Sequence, residues 1–333
     1  MTIVNTTTEE QAIEDGLTQF RRTFQQVQAS VQKVLVGQDH VVRHVLMAVF
    51  LQGHVLLEGA PGLGKTLLMS TLGKVLGLEC TRVQFTPDLM PADIIGTRVL
   101  QHEDGGRIRF EFEKGPVFTQ ILLADEINRA TPKTQSALLE SMQEHRVTVA
   151  GVTHPLPEPF VVMATQNPLE NEGPYPLPEA QLDRFMFKLH VRFPTQLELL
   201  EIMRRTTTEG TSSAERVIQS PDQILAWAQL LRRVPVATPV LEFGARLLLA
   251  THPPKDGGIS EKVRFGASPR GLQAMVLAGK LRAVLDGRFA VHREDLLDVA
   301  KPALRHRIGL TFEAESEGLD PDALVDRAAS QVT

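Results

Sequence analysis

One cysteine, Cys80, occurs in 333 residues. No internal disulfide and no cysteine-based zinc site can be built from it, and the thiol reads as a small buried hydrophobe. No apolar run approaches the ~20 residues that cross a bilayer. The amino-terminal stretch Met1-Thr2-Ile3-Val4-Asn5-Thr6 lacks a charged region followed by an apolar one, so it does not read as a secretory leader. These absences predict a cytoplasmic protein with no membrane insertion. Excess basic charge is also missing. The net charge is -5, so no global field draws the chain to nucleic acid or anionic lipid. Hydrophobic content of 42% and charged content of 23% are ordinary for a globular protein. The length suits two domains better than one.

Against that plain background one stretch stands out, Gly59-Ala60-Pro61-Gly62-Leu63-Gly64-Lys65-Thr66. It satisfies G-x-x-x-x-G-K-[ST] at every fixed position and reads as a phosphate-binding loop. Its glycines let successive N–H groups turn inward around phosphate oxygens. A following helix N-terminus adds free N–H groups and partial positive charge. Lys65 is placed to reach the β- and γ-phosphates of ATP, and the Thr66 hydroxyl to ligate Mg²⁺. The flanks agree. His54-Val55-Leu56-Leu57-Glu58 reads as a buried parallel strand, and Leu68, Leu72 and Leu76 recur at helical spacing.

The rest of the chain predicts an α/β domain followed by helices. Residues 1–12 are polar and read as loose, and Phe20, Phe24, Val27 and Val31 predict an amphipathic helix over 14–34. A second helix covers about 39–52. Core strands are expected at Val83-Gln84-Phe85, at Ile121-Leu122-Leu123-Ala124 and at Phe160-Val161-Val162-Met163-Ala164-Thr165. A last strand is expected where Phe185, Phe187, Leu189, Val191 and Phe193 alternate with mostly polar residues. A hairpin insertion is expected near 96–114, turning at Glu103-Asp104-Gly105-Gly106, and a shorter one near 146–155. Pro168, Pro174, Pro176 and Pro178 mark a loop, and 207–216 is Thr/Ser-rich. At Pro194 strand signals stop and helices follow near 195–206, 220–233, 239–251, 269–286 and 292–307. The segments are therefore 1–35, 36–193, 194–311 and an acidic tail, 312–333, read as solvated.

Several strands end in polar residues, and an open parallel sheet binds ligands at that edge. Asp125 is placed to hold Mg²⁺, and Glu126 to polarise an attacking water. Asn167 either hydrogen-bonds the γ-phosphate or that water, or forms a plain turn before Pro168. Ser268 and Pro269 read as N-cap and first helical residue, which leaves Arg270 in a turn where the dipole disfavours a cation. Arg270 then meets either a bound phosphate or a nearby acid. Arg184 either stabilises charge on a transferring phosphoryl group or makes a surface ion pair.

Together these stretches resemble an AAA+ ATPase, and most closely the MoxR family. Further matches are Val36-Gly37-Gln38, Gln84-Phe85-Thr86-Pro87-Asp88-Leu89-Met90-Pro91, Leu123-Ala124-Asp125-Glu126-Ile127-Asn128-Arg129-Ala130, Ala164-Thr165-Gln166-Asn167-Pro168, Glu179-Ala180-Gln181-Leu182-Asp183-Arg184-Phe185 and Ala267-Ser268-Pro269-Arg270. The resemblance implies a P-loop domain with a parallel five-stranded sheet and an all-α lid. It implies nucleotide contacts from Gly37, Gln38 and Gly59 through Leu67, with Mg²⁺ on Thr66 and Asp125. It makes Lys65 Walker A, Glu126 Walker B, Asn167 sensor 1, Arg184 the arginine finger and Arg270 sensor 2. ATP is then expected between the α/β domain, the lid and a neighbour's Arg184. A hexameric ring, a protein client and a von Willebrand A domain partner are also implied, with nucleic acid disfavoured. The alternatives are a nucleic-acid motor of the helix-2-insert clade and the motor subunit of a metal chelatase. Over 96–114 the cations Arg98, Arg107, Arg109 and Lys114 cancel Glu103, Asp104, Glu111 and Glu113. That cancellation is unlike a phosphate-neutralising groove.

Overall fold

A computed structural model describes residues 3–103, 107–167, 175–207, 213–253 and 262–332. The chain opens with α1 (Ile3–Gln32) and α2 (Asp39–Phe50), then β1 (Val55–Glu58), α3 (Lys65–Leu76) and β2 (Cys80–Gln84). Next come α4 (Pro91–Ile95), the hairpin β3 (Gly96–Glu103) and β4 (Arg107–Lys114), β5 (Ile121–Asp125) and α5 (Pro132–Glu144). A second hairpin, β6 (Arg146–Val149) and β7 (Val152–Pro155), precedes β8 (Val161–Gln166), α6 (Glu179–Leu182) and β9 (Phe187–His190). Past Pro194 the helices are α7 (Gln196–Thr207), α8 (Pro221–Arg232), α9 (Thr238–Ala250), α10 (Pro269–Leu285) and α11 (Arg293–Leu304). A small ribbon of β10 (Val263–Phe265) and β11 (Gly309–Leu310) leads to α12 (Phe312–Ser316) and α13 (Pro321–Val332). The expected turn residues Asp104, Gly105 and Gly106, the prolines Pro168 and Pro174, and residues 208–212 lie outside the described residues.

Five parallel strands form the central sheet in the order β2-β5-β8-β1-β9. Alternation sends Val55, Leu57, Ile121, Leu123, Val161 and Met163 to one face. Leu56, Leu122, Ala124, Val162 and Ala164 go to the other. Both faces are packed, which is why these strands read as continuous apolar runs. On the first face Phe20 of α1 meets Phe50 of α2 edge-on at 5.1 Å and Trp227 of α8 at 5.7 Å. The core therefore runs unbroken from the sheet through α1 into the carboxy-terminal helices. Among the described residues no helix is long and apolar enough to cross a membrane.

The structure corrects the expectations for both chain ends. Residues 3–12 are helical rather than loose, because α1 runs on beyond its apolar stripe. There Ile13 packs on the core and Glu9 pairs with Arg233. The acidic tail is not a free solvated end. Leu324, Val325 and Ala328 of α13 are buried. Three of the acids find partners, Asp322 with Arg305 at 2.7 Å, Asp326 with Lys301 at 2.8 Å and Glu317 with Lys262. The last core strand is also shorter than its alternation predicts, since it ends at His190 and leaves Phe193 exposed.

The two hairpins pack on each other. The rings of Phe112 and His154 stack with centroids 4.0 Å apart. At the second turn Ala150 and Gly151 both take positive φ, at 48° and 81°, as a tight hairpin turn demands. Burial of Cys80 raises its thiol to about 11, so it is un-ionised at neutral pH.

Two buried histidines tie helices to the sheet. His54 accepts from the Val162 N–H at Nδ1 (3.0 Å), so Nε2 carries the hydrogen that meets the Met142 carbonyl (3.0 Å). His44 lies edge-on to Phe187 at 5.3 Å. Burial lowers each from 6.5 to about 4, with the neighbouring His40 adding to the effect at His44. The unfolded chain therefore takes up the protons first. Stability is complete above about pH 6.5 and falls as pH drops from 6.5 toward 4. Urea unfolding should show a loss of about 2 kcal/mol per histidine between pH 7 and pH 5, and His54→Gln should remove one such share. Equal pH dependence in parent and variant would contradict this assignment.

Candidate active site

The loop between β1 and α3 is shaped by three glycines for two reasons. Gly62 and Gly64 sit at φ 81° and 80°, where a side chain is strained. At Gly59 a Cβ would lie 2.7 Å from the Val191 carbonyl oxygen, so the approach of the chain leaving β9 excludes one. The Lys65 ammonium folds back over the loop and donates to the Gly59 carbonyl at 2.6 Å. Burial lowers its pKa, while Asp125 and Glu126 pull the other way.

Loop and strand ends enclose a cavity of about 300 Å³, lined by Pro61, Gly62, Gly64, Lys65, Thr66, Arg82, Gln84, Asp125, Glu126 and Asn167. The structure therefore brings together eight of the residues singled out by sequence, from β5 and from the segments that follow β1, β5 and β8. Register explains the convergence. Gln84 of β2 pairs with Asp125 of β5, and Glu58 of β1 with Gln166 of β8, so the carboxyl ends of the strands finish at one edge.

Thr165 organises the two carboxylates. It is fully buried. Its hydroxyl donates to Asp125 Oδ1 at 2.6 Å and accepts from the Glu126 N–H at 2.8 Å. Glu126 takes φ 57°, a left-handed conformation that this hydrogen bond helps to hold. Its Oε2 accepts from Gln84 at 2.8 Å and from Arg129 at 2.7 Å. Asp125 Oδ2 accepts from Arg82 at 2.7 Å. Arg82, Gln84, Arg129 and Thr165 carried no assigned role in the sequence reading. Three of them stand inside quoted motifs, whereas Arg82 gives no local signal.

The donor set suits a hard divalent cation. The Thr66 hydroxyl and the Asp125 carboxylate line the same cavity, and oxygen donors of this kind are those that Mg²⁺ takes. Asp125 Oδ2 already faces the Arg82 guanidinium, so the position favours positive charge.

A second cavity, of about 210 Å³, shares Gly62 and Gly64 with the first and continues to Leu35, Gln38, Leu67, Pro194 and Ile202. Gln38 sits at φ 59° and donates to the Arg192 carbonyl at 2.6 Å, while its buried Oε1 has no partner among the described residues. Arg205 of α7 donates to the carbonyls of Gln32 (3.1 Å) and Lys33 (2.8 Å) at the end of α1, where the helix dipole favours a cation. Base-sized space thus lies between the 34–38 segment, the phosphate loop and the first lid helix. The α7 wall comes from distant chain and had no sequence signature.

Arg184 and Arg270 lie elsewhere. Both line a third cavity, of about 390 Å³, which shares no residue with the phosphate-loop cavity. Arg270 thus does not line the phosphate-loop cavity of its own chain. Ser268 does cap α10, accepting from the Arg270 N–H at 3.2 Å, but its hydroxyl also donates to Asp183 Oδ1 at 2.6 Å. That bond sets the first turn of α10 beside the Arg184 segment. Neither arginine has an ion-pair partner among the described residues.

Comparison with known proteins agrees with this geometry. Residues 54–187 match the family model described as ATPase family associated with various cellular activities (AAA), and residues 258–328 match the AAA lid domain. The chain is 42% identical over 321 residues to Chaperone MoxR1 of Mycobacterium tuberculosis, covering 96% of this chain and 84% of that one. It is 31% identical over 328 residues to Protein MoxR of Methylorubrum extorquens, covering 92% and 94%. A crystal structure of a Cytophaga hutchinsonii protein, described as a candidate ATPase, superposes with a TM-score of 0.89 at 39% identity over 98% of each chain. The lid match reaches residue 328, so the tail as far as Ala328 falls within the lid model.

Thr165→Val tests the geometry of the carboxylates. It strands the Glu126 N–H, so unfolding in denaturant should show a loss of about 1–3 kcal/mol. Turnover should fall about tenfold or more, with nucleotide affinity retained. Normal stability together with normal turnover would contradict the role given to this hydroxyl.

Proposed function

Since the chain belongs to the MoxR family of AAA ATPases, we propose that it hydrolyses ATP to ADP and phosphate in a ring of like subunits and uses the cycle to remodel protein clients. The observation that carries this reading is the division of charges. One cavity holds Lys65, Thr66, Asp125, Glu126 and Asn167, and a separate one holds Arg184 and Arg270. A phosphate site that needs both sets is completed by a second copy.

In this reading the adenine occupies the space beside Gln38, Leu67 and Ile202, and the loop N–H groups and Lys65 cradle the phosphates. Thr66 and Asp125 would hold Mg²⁺, which would supply positive charge to the phosphate oxygens. Glu126 orients and polarises the attacking water, with Asn167 beside it. Arg184 and Arg270 of the next subunit neutralise charge on the transferring group. Because α7 walls the base space while α10 carries Arg270, loss of the γ-phosphate alters contacts at the lid and at the neighbour together. The hairpins carry that movement to the client, acting in the cytoplasm with a von Willebrand A domain partner.

A protein client is favoured over nucleic acid by the hairpin surface. The directly paired Leu100 and Phe110 are exposed by 57% and 63%. An exposed apolar pair on the hairpin suits unfolded or partly folded chain better than phosphate backbone.

Subunit mixing tests the shared site. Lys65→Ala and Arg184→Ala chains should each be nearly inactive, the second by about 10³-fold or more. A verified equimolar mixed ring should regain activity at about a quarter of its sites, because each chain lacks a different half. No recovery would contradict an arginine supplied by the neighbour.

A further inference from the structure

The chain around Arg184 is held with unusual completeness, while the Arg184 side chain itself has no ion-pair partner among the described residues. The clamp is Arg307, just past α11, whose side chain is only 3% exposed. Its Nε donates to Asp183 Oδ1 at 2.8 Å. One terminal nitrogen donates to the Asp183 carbonyl at 3.0 Å and to the Phe185 carbonyl at 2.8 Å. The other donates to the carbonyls of Met186, at 3.3 Å, and Ala303. A guanidinium offers five N–H donors in a fixed plane, and here its three nitrogens bond on both sides of residue 184.

Asp183 links this clamp to the second arginine. The oxygen that accepts from Arg307 also accepts from Ser268, the cap two residues before Arg270. His306 adds a further hold. Burial keeps its ring neutral, and since Nδ1 has no partner among the described residues, Nε2 carries the hydrogen and donates to the Phe185 carbonyl at 2.9 Å. Two arginines from distant parts of the chain thus hang from one carboxylate that is anchored by one buried guanidinium.

We propose that Arg307 is a positioning residue which, through Asp183 and Ser268, presents Arg184 and Arg270 to the neighbouring subunit's nucleotide as a single rigid unit. Charge stabilisation of a phosphoryl group depends on donors fixed before the reaction, because reorganising them costs rate. Each nitrogen of the Arg307 guanidinium donates to a protein oxygen. Arg307 fixes backbone on either side of one arginine and the cap of the helix that carries the other. The inference rests on the reading that both arginines act across the interface.

Complementation in assembled rings separates positioning from general structural support. Arg307→Lys keeps the charge but cannot reproduce the planar fork, and Asp183→Asn keeps the shape but weakens the shared acceptor. Either should lower kcat about tenfold or more with the binding of a fluorescent ATP analogue changed less than about twofold. Mixed with Lys65→Ala subunits, each should recover activity, as Arg184→Ala does. Mixed with Arg184→Ala subunits, neither should, because the same half of the site is missing. Unchanged kcat, loss of analogue binding, or failure to recover with Lys65→Ala would overturn the inference. Asp183→Asn decides the matter if Arg307→Lys does not fold. Should Arg184→Ala itself retain full activity, the underlying reading of a shared site fails instead, and that outcome is distinguishable.

Discussion

Phosphoryl transfer needs its anion neutralised and its water oriented at one point, and this chain keeps the two sets of groups in cavities with no residue in common. That separation governs how the fold is used. The carboxylates and the phosphate loop sit at the carboxyl edge of the sheet, placed by strand register. The arginines sit at the junction of α6, β9 and α10, placed by contacts between domains. Each surface is held by its own buried bonds, so in the proposed ring the join between two copies becomes the variable part.

Rigidity on the first surface comes from burial on both sheet faces and from the hydroxyl of Thr165. A carboxylate at the end of an apolar strand is poorly solvated and needs directed partners. Asp125 and Glu126 find theirs in Thr165, Arg82, Gln84 and Arg129. On the second surface the corresponding element is the Asp183–Arg307 pair. The aromatic contacts of α1 with α2 and α8 join the sheet core to the carboxy-terminal helices. The two surfaces therefore belong to one packed body rather than to two loosely tethered ones.

Much of this was legible in the sequence because the signals are local. The phosphate loop is a contiguous pattern with a strand before and a helix after it, and Asp125 and Glu126 close an apolar run. The α/β fold class and the lid helices followed from periodicity and from the change at Pro194. Tertiary packing hid the rest. Residues 3–12 are polar and gave no helical periodicity, yet α1 extends through them beside α8. The tail reads as acidic until Arg305 and Lys301 are seen to pair with Asp322 and Asp326. For Arg270 the cap was correctly read, but no spacing says which cavity its helix faces. That depends on a bond between residues 85 positions apart.

The most direct measurement is a structure of the assembled protein with a non-hydrolysable ATP analogue and Mg²⁺. The account predicts the triphosphate in the cradle beginning at Gly59. Its γ-phosphate should lie within hydrogen-bond reach, about 3 Å, of guanidinium nitrogens from Arg184 and Arg270 of the adjacent subunit. An analogue whose γ-phosphate is met by Arg270 of the same chain, with Arg184 of the neighbour turned away, would contradict it.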